Sequence, residues 1–137
     1  MKDPLKIQNI HTILYVQNQE KSTEFYQRIL CREADLFVPG MTEFKLSENF
    51  ILGLMPNDGI AKIFDDKVPH PENGNGIPRC ELYLYVENLT ATFENAVNCG
   101  AKLISSVEKR NWGDKACYFA DNDGHIIAFA EKMNNDE

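Results

Sequence analysis

The sequence has no long hydrophobic run. No stretch approaches the roughly 20 apolar residues that a membrane-crossing helix needs, and the opening MKDPLKIQNI lacks the apolar core of a secretory signal. Positive charge is scarce: 14 Lys and Arg stand against 21 Asp and Glu, giving a formal net charge of −7 and a pI near 5.0. Phosphate backbones require clustered cations, so nucleic acid is not an expected partner, and neither is a membrane. The four cysteines, Cys31, Cys80, Cys99 and Cys117, contain no CxxC pair. That spacing argues against a zinc site or a disulfide framework and fits buried, inert, reduced thiols in a cytoplasmic protein. A Ser-His-Asp order, a phosphate-cradling glycine loop and a dinucleotide fingerprint are all missing.

What is present is an internal repeat. Residues 11–18 read HTILYVQN and residues 81–88 read ELYLYVEN, so Leu14, Tyr15, Val16 and Asn18 meet Leu84, Tyr85, Val86 and Asn88 in register. Each segment is rich in β-branched, aromatic and aliphatic residues and predicts a strand. In each, the Asn falls where a helix N-cap belongs. Apolar residues then recur at helical spacing, as Phe25, Tyr26, Ile29 and Leu30 in the first copy and Leu89, Phe93, Ala96 and Val97 in the second. Gly100 stands where a left-handed C-cap would fall.

Three short β-like runs follow each helix: 34–38, 42–46 and 50–55, then 102–105, 116–120 and 126–130. Asn122-Asp123-Gly124 predicts a hairpin turn before the last of them. The reading is therefore an α+β protein of 137 residues, one domain built from two βαβββ modules, residues 7–56 and 80–132. The intervening residues 57–79, punctuated by Pro69, Pro71, Gly74, Gly76 and Pro78, read as a linker loop with at most a short helical turn.

Side chains alternate across a strand. Leu14 and Val16 are expected against the first helix, which leaves His11, Ile13 and Tyr15 on the other face. In the second copy Glu81, Tyr83 and Tyr85 share that face. Ile51, Gly53 and Met55 line up on one final strand, and Ile126, Ala128 and Ala130 on the other. Curved sheets enclosing a cavity between the modules would give it an aromatic, weakly polar lining suited to a small molecule. Its candidate ligand-binding residues are Tyr15, Gly53, Met55, Tyr83, Tyr85 and Ala128, with Trp112 as a wall or lid.

The segments IHTILYV, NQEKSTEFYQRIL, ELYLYVENLTATFENAVNCGAKL and CYFADNDGHIIAFAE resemble the glyoxalase, bleomycin-resistance and extradiol dioxygenase proteins of the vicinal oxygen chelate superfamily. The resemblance spans about residue 7 to residue 132. It implies a homodimer, and a divalent metal held at four symmetry-related strand positions, which correspond here to His11, Gly53, Glu81 and Ala128. Glycine and alanine offer no donor, whereas such a site needs three or more protein ligands. The expectation is accordingly a small-molecule binding protein without a cofactor or a full metal site. His11 and Glu81 are the candidate catalytic pair, able to share a proton. The alternative is a metal-dependent lyase or dioxygenase in which His11 and Glu81 gain a third ligand from a loop, such as His70, or from a partner chain.

Overall fold

The computed structural model describes residues 3–134. In chain order the elements are β1 (Ile10–Val16), α1 (Gln19–Ile29), β2 (Leu36–Val38), β3 (Met41–Ser47), β4 (Phe50–Pro56), α2 (Asn57–Phe64), a 3-10 turn (Pro71–Gly74), β5 (Glu81–Tyr85), α3 (Leu89–Asn98), β6 (Lys102–Lys109), β7 (Asp114–Ala120) and β8 (Ile126–Lys132). They form two four-stranded mixed sheets of identical topology, ordered β1-β4-β3-β2 and β5-β8-β7-β6. In each, the first strand pairs in parallel with the last, and the remaining neighbours are antiparallel. The βαβββ repeat read from the sequence is the observed fold. Register confirms the residue equivalence, because Ile13 faces Gly53 in the first sheet and Tyr83, 70 positions on, faces Ala128 in the second.

The backbone groups into two compact units. One runs to Thr23 and resumes over Arg32–Asn73; the other takes Glu24–Cys31 and the described chain from Gly74 onward. In the first unit Leu14, Val16, Phe44, Leu52 and Leu54 form the core, and Thr23 and Thr42 are buried beside them with their hydroxyls 2.8 Å apart. Gln19 clips the β2–β3 turn: its amide nitrogen donates to Val38 O at 2.8 Å, and its oxygen accepts from the Gly40 N–H at 3.0 Å. In the second unit Leu82, Leu89, Ala96, Phe119, Ile127 and Phe129 are buried together with Tyr26 and Ile29. The Phe93 ring of α3 lies 5.7 Å from that of Phe119, which fixes the face of this sheet turned towards α3.

Both expected helix caps form. Asn18 Oδ1 accepts from the Lys21 N–H at 3.0 Å, and Asn88 Oδ1 from the Ala91 N–H at 3.0 Å. At the far end of α3, Gly100 takes φ +81°, and the Ala101 N–H closes on Ala96 O at 3.1 Å, a left-handed termination. Asn88→Ala should therefore destabilise the protein by about 1 kcal/mol, measured by urea unfolding with an unchanged denaturant dependence.

Three expectations require correction. The segment expected as a linker loop carries the eight-residue helix α2, which buries Asn57 and Ile60. Its Phe64 meets Tyr15 edge to face at 6.0 Å. Proline and glycine content hid the periodicity of Ile60, Ile63 and Phe64. Strand β6 continues to Lys109, well beyond residue 105, through two register shifts. Of the four cysteines only Cys117 is buried; Cys31 and Cys80 are exposed and Cys99 is half-buried.

Candidate functional site

The polar and aromatic residues of the second sheet gather on the face away from α3. Strand order places β8 between β5 and β7. Tyr85, Ala130 and Ala116 form one row across the three strands, and Tyr83, Ala128 and Tyr118 form the next. The two tyrosines do not stand upright. Tyr83 donates its hydroxyl proton to Asp114 Oδ2 at 2.7 Å, and Tyr85 donates to the same oxygen at 2.8 Å. Asp114 is on β7, two strand spacings of about 4.8 Å away, so both tyrosine side chains reach across β8.

This explains the alanines. Ala128, Ala130 and Ala116 are fully buried, and Ala128 and Ala130 are the β8 register partners of Tyr83 and Tyr85. A longer side chain at either position would lift the rings and break their reach to Asp114. Trp112, in the β6–β7 turn, completes the assembly by donating its indole N–H to the Tyr83 hydroxyl oxygen at 2.9 Å. The Tyr83 and Tyr85 rings meet edge to face at 5.4 Å.

The electrostatics follow from these bonds. Hydrogen bonds from Tyr83 and Tyr85, with the charge of Lys132, hold the Asp114 carboxyl below its usual range although burial opposes this. Burial and then the bond to Asp114 push Tyr83 up to about 12, and the bond to Asp114 raises Tyr85. The assembly is thus one carboxylate holding two neutral phenols. Because the folded Tyr83 value lies above the unfolded one, its contribution is complete below pH about 10 and is lost as pH rises through about 12. Ultraviolet absorbance titration should show one phenol ionising near 12 that disappears in Tyr83→Phe.

Arg110, beside Trp112 in the β6–β7 turn, is committed to the protein itself. Its guanidinium donates to Ala116 O at 2.8 Å, to Ser105 Oγ at 2.9 Å, to Ser106 O at 3.0 Å and to Glu108 Oε2 at 3.1 Å. It also lies 5.1 Å above the Tyr118 ring. These contacts hold the irregular stretch of β6, where the register with β7 shifts twice. Glu81 is exposed at the start of β5, and its charge contributes to raising Tyr118.

The candidates of the first unit lie on one sheet face of their own. His11 and Ile13 are exposed and Tyr15 is half-buried, while Gly53 on β4 is buried and Met55 half-buried. Gly53 has little room for a side chain, since a Cβ would stand 3.0 Å from Ile13 Cγ1 and 3.4 Å from Met41 Sδ. His11 Nδ1 lies 3.8 Å from Glu43 Oε2, a partner that sequence reading missed. Alternation along β3 was the available signal, because Glu43 is the register partner of Gly53.

His70 is committed on both nitrogens. Its Nδ1 accepts from the Glu72 N–H at 3.1 Å, which leaves Nε2 to donate to Asp58 Oδ1 at 2.9 Å. Among the described residues no three or more His, Cys, Asp or Glu side chains cluster in a way that could hold a metal ion. Of the four positions at which the resemblance implies a divalent ion, Gly53 and Ala128 carry no side-chain donor, so the residues there do not make up the three or more protein ligands such an ion needs.

Two βαβββ units, each with a four-stranded mixed sheet, define the architecture of the glyoxalase and bleomycin-resistance class. The sequence profile of the glyoxalase-like domain matches residues 9–134, and the chain belongs to that family. Among solved structures it is similar to a glyoxalase/bleomycin resistance protein/dioxygenase from Nocardioides, with a TM-score of 0.77, 17% identity and coverage of 98% of this chain and 88% of that one. A glyoxalase-related enzyme from Fulvimarina pelagi gives a TM-score of 0.76 at 21% identity, covering 92% and 89%. At these identities the likeness is one of fold. An uncharacterized protein of Mycobacterium bovis is 32% identical over 87 residues, 61% of this chain and 57% of its own length. An uncharacterized protein of Mycobacterium tuberculosis is 32% identical over 87 residues, 61% of this chain and 51% of its own. The chain thus spans about half the length of these curated relatives. Among the described residues no helix is long and apolar enough to cross a membrane.

Proposed function

We propose that the protein binds a small planar molecule, aromatic or otherwise apolar, on the platform made by Tyr83, Tyr85 and Trp112, without a full metal site. The supporting observation is that Tyr85 and Trp112 are 54% and 56% exposed yet fixed through one buried carboxylate. Exposed aromatic surface is unfavourable in water. Rings held in place before a ligand arrives lose little freedom on binding it, which favours affinity.

Trp112 is the only tryptophan and reports on the platform directly. Titration with a panel of aromatic compounds should change its fluorescence saturably and raise the melting temperature. A ligand at 100 times its Kd stabilises by about 2.7 kcal/mol, which a thermal scan resolves. A broad panel that moves neither signal would remove the proposal. Asp114→Asn should weaken a bound compound about tenfold, because a neutral amide oxygen holds the two phenol protons less strongly than a carboxylate does.

A further inference from the structure

We propose that the face of the Tyr85 ring now covered by Lys132 is a subsite for an organic ammonium, so that the ligand of the platform carries a positive charge. This rests on the platform reading above and specifies its ligand class. A cation already sits there: Lys132 Nζ lies 4.8 Å from the centre of the Tyr85 ring. Lys132 is also the register partner of Asp114 across β7 and β8, so its ammonium meets a π face and the field of a buried carboxylate at one point.

The donors of the platform are all engaged within the protein. Tyr83 and Tyr85 direct their protons to Asp114, and the Trp112 N–H is taken by Tyr83. Arg110, the other nearby cation, is committed to backbone carbonyls, Ser105 and Glu108. What the platform leaves for a ligand is therefore aromatic ring surface and hydroxyl lone pairs, with Glu81 exposed on the same strand and a chain net charge of −7. An anion would find no donor among these three aromatic residues. A cation would find the position that Lys132 fills, and Lys132 is an exposed side chain that regains rotamer freedom on leaving.

The test uses phenyltrimethylammonium and 2-phenyl-2-propanol, a neutral compound of similar shape, each titrated against Trp112 fluorescence. The wild-type protein should bind the cation about five- to tenfold more tightly. Lys132→Met should strengthen cation binding a further three- to tenfold, roughly the value of freeing one cation–π face, and leave the neutral compound within about twofold. Lys102→Met makes the same charge change at the far end of the sheet and should alter neither. Saturable binding of both compounds with equal affinity would overturn the ammonium assignment and leave the platform standing. An equal gain in Lys102→Met would also overturn it, by showing that overall charge is responsible. If neither compound moves fluorescence or melting temperature in the wild type or in Lys132→Met, the subsite and the platform fall together.

Discussion

Asp121→Ala should lower the unfolding free energy by about 3–5 kcal/mol. The carboxylate at the β7–β8 turn is buried and accepts three hydrogen bonds. Tyr26 donates its hydroxyl to Oδ2 at 2.6 Å, and the backbone N–H groups of Asp123 and His125 each donate to Oδ1 at 2.9 Å. Tyr26 is fully buried, so alanine would leave its hydroxyl without this acceptor in an interior site, a loss of about 1–3 kcal/mol by itself. The two backbone donors, which shape the turn as an Asx motif does, account for the remainder. Burial and the neighbouring Asp121 charge hold the Tyr26 phenol well above its ordinary range, so the pair is a neutral donor on a charged acceptor. Asp121→Asn keeps an oxygen for the turn and should cost about half as much. Tyr26→Phe should cost about 1–2 kcal/mol. Chemical denaturation of the three variants, with a double-mutant cycle between positions 26 and 121, checks the assignment; additive effects would show that the two side chains do not act together.

The legible parts of this fold are those decided locally or by repetition. An Asn after an apolar strand and before a helical stripe is a cap signal contained in a few residues, and both Asn18 and Asn88 cap as that signal predicts. The equivalence of Leu14-Tyr15-Val16 with Leu84-Tyr85-Val86 requires only comparison of the chain with itself, and the matched pairs Ile13–Gly53 and Tyr83–Ala128 carry it into three dimensions. Helix α2 is illegible for a related reason. A segment between two modules, with Pro56 before it and Gly59 inside it, looks like punctuation when composition is the guide. Its helix is stabilised instead by burial of Ile60 and by the packing of Phe64 on Tyr15, contacts with β1 that no local window contains.

The candidate site divides along the same line. Tyr83, Tyr85 and Trp112 are readable as an aromatic group from alternation and from the position of the sole tryptophan. Asp114, which organises them, is readable only as a polar neighbour of that tryptophan. Its role depends on β8 inserting between β5 and β7, which sets the tyrosines two strands from their acceptor, and strand order is a non-local property. The alanines show the complementary limit. At position 128 the sequence offers only a residue without a side-chain donor, whereas the structure adds a packing reason for a small one, since Ala128 is fully buried as the register partner of Tyr83.

Gly124→Ala should lower stability by about 2–5 kcal/mol, by two separable effects. Gly124 has φ +87°, where a β-carbon costs about 1–2 kcal/mol. That carbon would also stand 2.7 Å from Gly76 Cα and 3.2 Å from Gly76 C. Both are backbone atoms, in a segment tied down by the Gly76 N–H donating to Asp123 O at 3.0 Å. No rotamer change relieves such a contact, so the turn or the 74–76 segment must move, at an overpacking cost of about 1–3 kcal/mol. Gly113 separates the two effects, because it has φ +96° and a Cβ there would meet nothing within 4 Å. Gly113→Ala should therefore show only the dihedral penalty. Gly59, inside α2 with an ordinary φ and open space around it, should change sign: Gly59→Ala should stabilise by about 0.5–1 kcal/mol through higher helix propensity and a less flexible unfolded chain. Thermal unfolding of the three variants ranks them directly. If Gly124→Ala and Gly113→Ala lose the same amount, the approach of Gly76 to the turn is looser than the structure shows and the steric half of the effect is absent.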